Sequence, residues 1–186
     1  MSRFEFFPTP ISDLYVVERM PMRDERGSLE RIFCADEFLK IGLLDQIKQI
    51  NLVVTKDKSV VRGMHFQYPP HAEAKFVTCI RGKIYDVAID IRRESPTFLH
   101  WHGEELSAEN SRSLFLPKGF AHGYQTLTED CEMIYLHSNS YQIESEGALN
   151  AEDPLLDIRW PLPITGLSDR DRNHANINDD FLGVTL

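Results

Sequence analysis

Short apolar runs recur along the chain, at 14–17, 47–55, 76–80, 84–91, 113–116 and 132–136. Most are rich in Val, Ile, Phe and Tyr, and Gly, Pro, Asn or Asp bounds them, which is the pattern of strands separated by turns. Arg81, Gly82 and Lys83 fall between two such runs and predict a tight hairpin. One helix is predicted, over 34–44, with Asp36 in its first turn and Gly42 near its end. Residues 168–180 are polar and read as an exposed C-terminal region with room for one helical turn. Strand follows strand with little space for crossover helices, so the expected class is all-β, an antiparallel sandwich or jelly-roll barrel with a few short helices.

Composition narrows the reading. The chain has 186 residues without an internal repeat or linker, which fits one domain or one domain with a tail. Apolar residues make up 42% and charged residues 26%, an ordinary globular balance. The net charge of −9 disfavours broad binding to nucleic acid or to an anionic membrane surface. No segment approaches the roughly 20 apolar residues of a membrane span, and the first residues lack the apolar run of a signal peptide. Cys34, Cys79 and Cys131 are odd in number and widely spaced, so reduced thiols in a cytoplasmic protein are expected.

Two clusters carry chemistry. In the first, over 60–67, strand alternation puts His65 and Gln67 on one face with Val61 and Gly63, and Met64 and Phe66 on the other. An imidazole titrating near neutrality can act as a base. A lone histidine is more often a hydrogen-bonded core or surface residue, and only its neighbours shift the balance. The second cluster, over 116–124, contains Pro117, Gly119 and His122 in the Pro-x-Gly-x-x-His form of the second cupin motif, a turn that delivers a histidine into a small β-barrel. Metal-binding cupins carry His-x-His in the first motif, whereas here the second position is Gln67, a poor ligand beside imidazole and carboxylate. The expectation is metal-free chemistry, with convergence of His65, His71, Glu73 and His122 as the open alternative. There is no GxGxxG after a strand, and no redox cofactor is expected.

Taken together, VVRGMHFQ at 60–67, KIYDVAIDIRRESPTF at 83–98, LPKGFAHGY at 116–124 and LSDRD at 167–171 are specific in combination. With DERG at 24–27, QIN at 49–51, AKFV at 74–77 and MIY at 133–135, they cover nearly the whole length. The sequence resembles the dTDP-4-dehydrorhamnose 3,5-epimerases, the cupins of rhamnose biosynthesis. The resemblance implies a metal-free enzyme that enolises a nucleotide-linked 4-keto-6-deoxyhexose and inverts C3, C5 or both. It implies His65 as base, Asp171 as the carboxylate that orients it, Tyr135 as the acid on the opposite face and Lys75 as the cation at the enolate. It also implies Arg62 and His122 as pocket residues, and Arg26, Gln49, Asn51, Tyr141, Glu146 and Arg172 as contacts to the nucleotide sugar. A cytoplasmic homodimer is expected, with N-terminal strands within 1–50 added to the partner's sheet and 165–186 as a C-terminal extension.

Two departures bear on the substrate. Arg31 stands where the family usually has glutamate, with Glu30 beside it, and Asn150 stands where tryptophan is usual. Both are expected near the bound nucleotide and sugar. Three alternatives remain open at this level. They are a 3-only epimerase or ketoisomerase on another nucleotide sugar, a metal-dependent cupin oxygenase, and a sugar-binding cupin without activity.

Overall fold

The computed structural model describes residues 2–39 and 47–186. The strands are β1 (Phe4–Pro8), β2 (Tyr15–Arg19), β3 (Met22–Asp24), β4 (Gly27–Leu29), β5 (Gln49–Thr55), β6 (Val61–Gln67) and β7 (Lys75–Arg81). They continue with β8 (Lys83–Asp90), β9 (Trp101–Ser107), β10 (Arg112–Leu116), β11 (Phe120–Thr126), β12 (Cys131–His137) and β13 (Glu146–Ala148). A six-stranded sheet has the order β1-β2-β10-β7-β12-β5, a five-stranded sheet has the order β13-β6-β11-β8-β9, and β3 and β4 form a separate hairpin. The paired strands in these sheets run antiparallel. The all-β jelly-roll class read from the sequence is the class observed. No described helix is long and apolar enough to cross a membrane.

Alternation along the central strands builds three layers of core. Val77 and Cys79 of β7 and Met133 of β12 meet Ile84 and Ala88 of β8 and Tyr124 of β11 between the sheets. The opposite faces are covered too. Val87 and Ile89 of β8 pack with Leu149, Leu156 and Val184 from the C-terminal half. Phe76 of β7 packs with Phe4, Phe38 and Phe115. Strands buried on both faces read as near-continuous apolar runs, which is why 76–80 and 84–91 stood out.

Three sequence expectations change. The predicted helix is a single turn, α1 (Ala35–Phe38), and its expected continuation over 40–44, Gly42 included, lies outside the described residues. Phe38 anchors it, fully buried and edge-on to Phe4 and Phe76 at 5.1 and 4.8 Å. Arg81 to Lys83 is not a hairpin, because β7 and β8 belong to different sheets. Gly82, at φ +75°, turns the chain from one sheet to the other, where a Cβ would meet Thr128 Oγ1 at 2.7 Å. Residues 168–180 are not simply exposed. They hold the helical turn α2 (Asp169–Arg172), in which Asp171 is 3% exposed, and Ile177 packs on the core. The C-terminal segment is tied in by Val61 N–H donating to Gly166 O at 2.9 Å and by a bridge between Arg92 and Val184. β1 pairs with β2 of its own chain.

Gly63 sets the course of β6. Its φ is +127°, and a Cβ there would lie 2.5 Å from Gly123 Cα and 2.8 Å from His122 O. The register between β6 and β11 shifts at this point, from His65 opposite His122 to Arg62 opposite Tyr124. Gly63→Ala is expected to destabilise the protein by about 1–3 kcal/mol from backbone conformation alone, with the steric overlap in addition. Urea denaturation of the two proteins checks this, and an unchanged midpoint would contradict it.

Candidate active site

The registers stack side chains into rows on the inner face of the six-stranded sheet. His137 of the middle strand β12 is flanked by Lys75 of β7 and Gln49 of β5, and Tyr135, flanked by Val77 and Asn51, forms the next row. On the five-stranded sheet His65 of β6 is paired with His122 of β11. Both sheets contribute to one cavity of about 840 Å³, lined by His65, His122 and Arg62 on one side and by Tyr135, Lys75 and His137 on the other. Gln49, Asn51, Tyr141 and Glu146 also line it, as does Asp171.

Asp171 Oδ1 lies 2.8 Å from His65 Nε2. The carboxylate is delivered by α2, whose first turn is capped by Ser168 Oγ accepting from Asp171 N–H at 3.0 Å. Burial alone would raise its pKa, but the hydrogen bond and charge of His65, with Ser168 and the Gly63 N–H, hold it down to about 2. Asp171 is therefore ionised and accepts the Nε2 hydrogen, which leaves Nδ1 with the free lone pair.

Lys75 is nearly buried, with Nζ 3.2 Å from Glu73 Oε1 and donating at 3.2 Å to the His65 carbonyl. Tyr135 is held protonated, since burial raises its pKa well above 10. Its hydroxyl makes a long contact to Met133 Sδ at 4.0 Å and neighbours the Tyr124 hydroxyl, and as a lining residue it can donate into the cavity. His122 sits edge-on to Tyr135 at 5.5 Å, and its Nε2 is 2.7 Å from the buried Asp86 Oδ1. Burial raises the Asp86 pKa and the charge of His122 opposes that rise. Arg62 donates to Thr55 Oγ1 at 3.1 Å, which in turn bonds Tyr124 Oη at 2.7 Å.

The mouth is polar. Tyr141 Oη donates to Glu146 Oε2 at 3.0 Å, and Gln49 accepts the Tyr141 N–H at 3.0 Å and donates to Asn51 at 3.2 Å. Arg170 of α2 donates to Glu146 Oε1 at 2.9 Å and brings its guanidinium to 3.5 Å from Asp171 Oδ1 and 3.0 Å from His65 Nε2, where it makes no hydrogen bond while Nε2 donates to Asp171.

Of the twelve residues to which the resemblance gives catalytic or substrate-binding roles, ten line this cavity and two do not. Arg172 is outside it, and Arg170, one residue before Asp171 rather than one after, holds the mouth. Arg26 lies on the β3–β4 hairpin, paired with Asp24 at 2.6 Å and with its side chain 85% exposed. The departures also resolve. Arg31 pairs with Glu37 at 3.1 Å, and Glu37 also binds Ser2 Oγ. Asn150 donates to Asn176 at 2.9 Å, and neither Arg31 nor Asn150 is among the lining residues. The sequence names Glu73 only as part of a possible metal cluster and gives no role to His137 or Arg170. Only Arg170 carried a signal, its place beside Asp171. Gln67 is occupied structurally, donating to Glu73 and to His71 O at 3.0 Å and accepting Gln142 N–H at 2.6 Å. His71 is not among the lining residues.

A family model described as dTDP-4-dehydrorhamnose 3,5-epimerase matches residues 8–179. The chain belongs to this family. An enzyme of that name from Salmonella typhimurium strain LT2 is 43% identical over 82% of this chain and 84% of that protein. The Legionella pneumophila dTDP-6-deoxy-D-glucose-3,5-epimerase, solved in complex with dTDP-4-keto-L-rhamnose, superposes with a TM-score of 0.92 at 34% identity, covering 98% of each chain. A dTDP-4-dehydrorhamnose 3-epimerase from Streptomyces niveus is 34% identical over 89% of this chain and 80% of that protein. The chain is thus a carbohydrate epimerase of this family.

His137 offers a test of the cavity's electrostatics. Burial, with Lys75 beside it, pushes its pKa down to about 4. Between pH 6.5 and 4 the unfolded chain takes up a proton that folded His137 refuses, so acidification through this window destabilises the fold by up to about 1.4 kcal/mol per pH unit. His137→Gln is expected to lose stability less steeply than the parent between pH 6.5 and 4.5, as measured by urea unfolding. Parallel curves would contradict the assignment.

Proposed function

We propose that the cavity binds a dTDP-linked 4-keto-6-deoxyhexose and inverts C3 and C5, giving the 4-dehydrorhamnose product. The observation that supports this most is the placement of His65 and Tyr135 on opposing sheets of one cavity. Hydrogens on the two carbons flanking a ketone are removable when the resulting enolate is stabilised and a proton can arrive from the other side. His65 Nδ1 takes the hydrogen, and ionised Asp171 stabilises the imidazolium that forms. Charge moves to the C4 oxygen, where the ammonium of Lys75 meets it. Tyr135 then delivers its proton to the carbon from the opposite face, which inverts the centre. Solvent takes the proton from His65 and returns one to Tyr135, so the residues end as they began. The half-exposed Arg170, with Gln49, Asn51 and Tyr141, suits the charged and polar nucleotide diphosphate at the mouth. No step in this sequence needs electrons from outside.

The chain works as a dimer in this reading. Along the edge strand β5, Ile50, Leu52 and Val54 alternate outward at 66%, 62% and 49% exposure, an apolar stripe that a second copy would cover. Arg26, remote from its own cavity, is then free to serve the mouth of the partner's. The two sheets and the C-terminal segment build one cavity, which supports a single domain. Three free thiols support a reducing compartment, the cytoplasm.

Incubation with dTDP-4-dehydro-6-deoxyglucose in heavy water is expected to place deuterium at C3 and C5, read by NMR. His65→Asn is expected to slow exchange at least about 100-fold, the usual scale of a lost general base. Undiminished exchange in that variant would contradict the assignment, and label at C3 alone would mark a 3-epimerase. Separately, Leu52→Arg is expected to convert a dimer to a monomer by light scattering, and a monomeric parent protein would contradict the dimer.

A further inference from the structure

His174 has no part in the chemistry above, yet it is aimed at its centre. It follows α2 closely, its side chain is 25% exposed, and its Nε2 is shielded from solvent without a hydrogen-bond partner. That nitrogen lies 3.9 Å from Asp171 Oδ1, the same oxygen that lies 2.8 Å from His65 Nε2. Donor atoms of the three residues all lie within 4.8 Å of one another.

We propose that His65, Asp171 and His174 form a binding site for a zinc-class divalent cation, and that filling it switches the epimerase off. Two imidazoles and one carboxylate are a donor set that zinc takes, at about 2.0–2.2 Å per bond, with the fourth position left open. Tetrahedral bonding at those lengths puts donors about 3.3–3.5 Å apart. His174 therefore has to close on Asp171 by less than an ångström and His65 has to open by a similar amount. The cavity supplies the open side for a water. Arg170 stands in the way, 3.0 Å from His65 Nε2 and 3.5 Å from Asp171 Oδ1, and a cation has to displace it; its side chain is 54% exposed and Glu146 already holds it at 2.9 Å, so it can swing outward on that partner.

The inhibition follows from the tautomer. A cation on Nε2 takes the lone pair there, and the ring hydrogen moves from Nε2 to Nδ1, the nitrogen that must be bare to strip a carbon acid. No proton leaves the ring, and the base is lost. This half of the proposal rests on His65 being the base. Magnesium, which prefers oxygen donors and keeps its waters, does not suit the site.

Calorimetric titration of zinc chloride into the full-length protein, previously stripped with EDTA, tests the site without reference to activity. One zinc per chain is expected, with affinity at least 10-fold weaker in His174→Asn and His174→Gln. Both variants are expected to keep epimerase activity within twofold of the parent in EDTA. Zinc should inhibit the parent reversibly at concentrations that match binding, the variants only at 10-fold more, and magnesium neither. Equal zinc affinity in parent and variants would overturn the site, and full activity at saturating zinc would overturn the switch. Were His65→Asn active, the base assignment would fall while calorimetry still judged the site.

Discussion

The contact between Asp171 and His65 joins residues 106 positions apart in the chain, and most of what this cavity can do depends on it. A neutral imidazole on β6 has two equivalent ways to carry its hydrogen. A buried carboxylate on one side leaves it one. That choice fixes which nitrogen is basic and gives the imidazolium a partner when it forms. The carboxylate must come from somewhere rigid, and here it comes from a helical turn capped by Ser168, on a segment bridged to the strands at Gly166 and Val184. The C-terminal segment thus completes the site as well as covering the sheet.

Several of the remaining charges around that contact have a counterpart. Lys75 is matched by Glu73, Arg170 by Glu146 and His122 by Asp86. His137 is kept neutral by its burial beside Lys75. In the proposed reaction Lys75 serves the enolate oxygen, Arg62, which donates to Thr55 Oγ1, is a further cation lining the cavity, and burial keeps Tyr135 in the form that can donate.

The central strands were legible because β7 and β8 are apolar on both faces, and their runs stand out against any background. The sheet change at Gly82 was not, since a glycine between two strands looks the same whether the strands pair or part. Strand alternation alone would put Arg62, three residues from His65, on the opposite face, yet both line the cavity. The positive φ at Gly63 and the register shift against β11 account for this, and neither has a periodic signature. Most of the site was visible through motif resemblance, which carried His65, Lys75, Tyr135 and Asp171 as a set. It failed where neighbouring charges are interchangeable by eye. In Asp-Arg-Asp-Arg the resemblance favoured Arg172, and only the turn of α2 distinguishes it from Arg170. His137 and Glu73 lacked any motif, and their place follows from cross-strand register alone.

The central claim is that base and acid act from opposite sides of the sugar, and it is tested most directly by separating exchange from inversion in Tyr135→Phe. With substrate in heavy water, this variant keeps His65 and Asp171 but has no donor on the far face. The account predicts that deuterium still enters at a carbon beside the ketone while inversion there falls far more steeply, because His65 returns a proton to the side it came from. Exchange and inversion falling together, or inversion persisting, would contradict it.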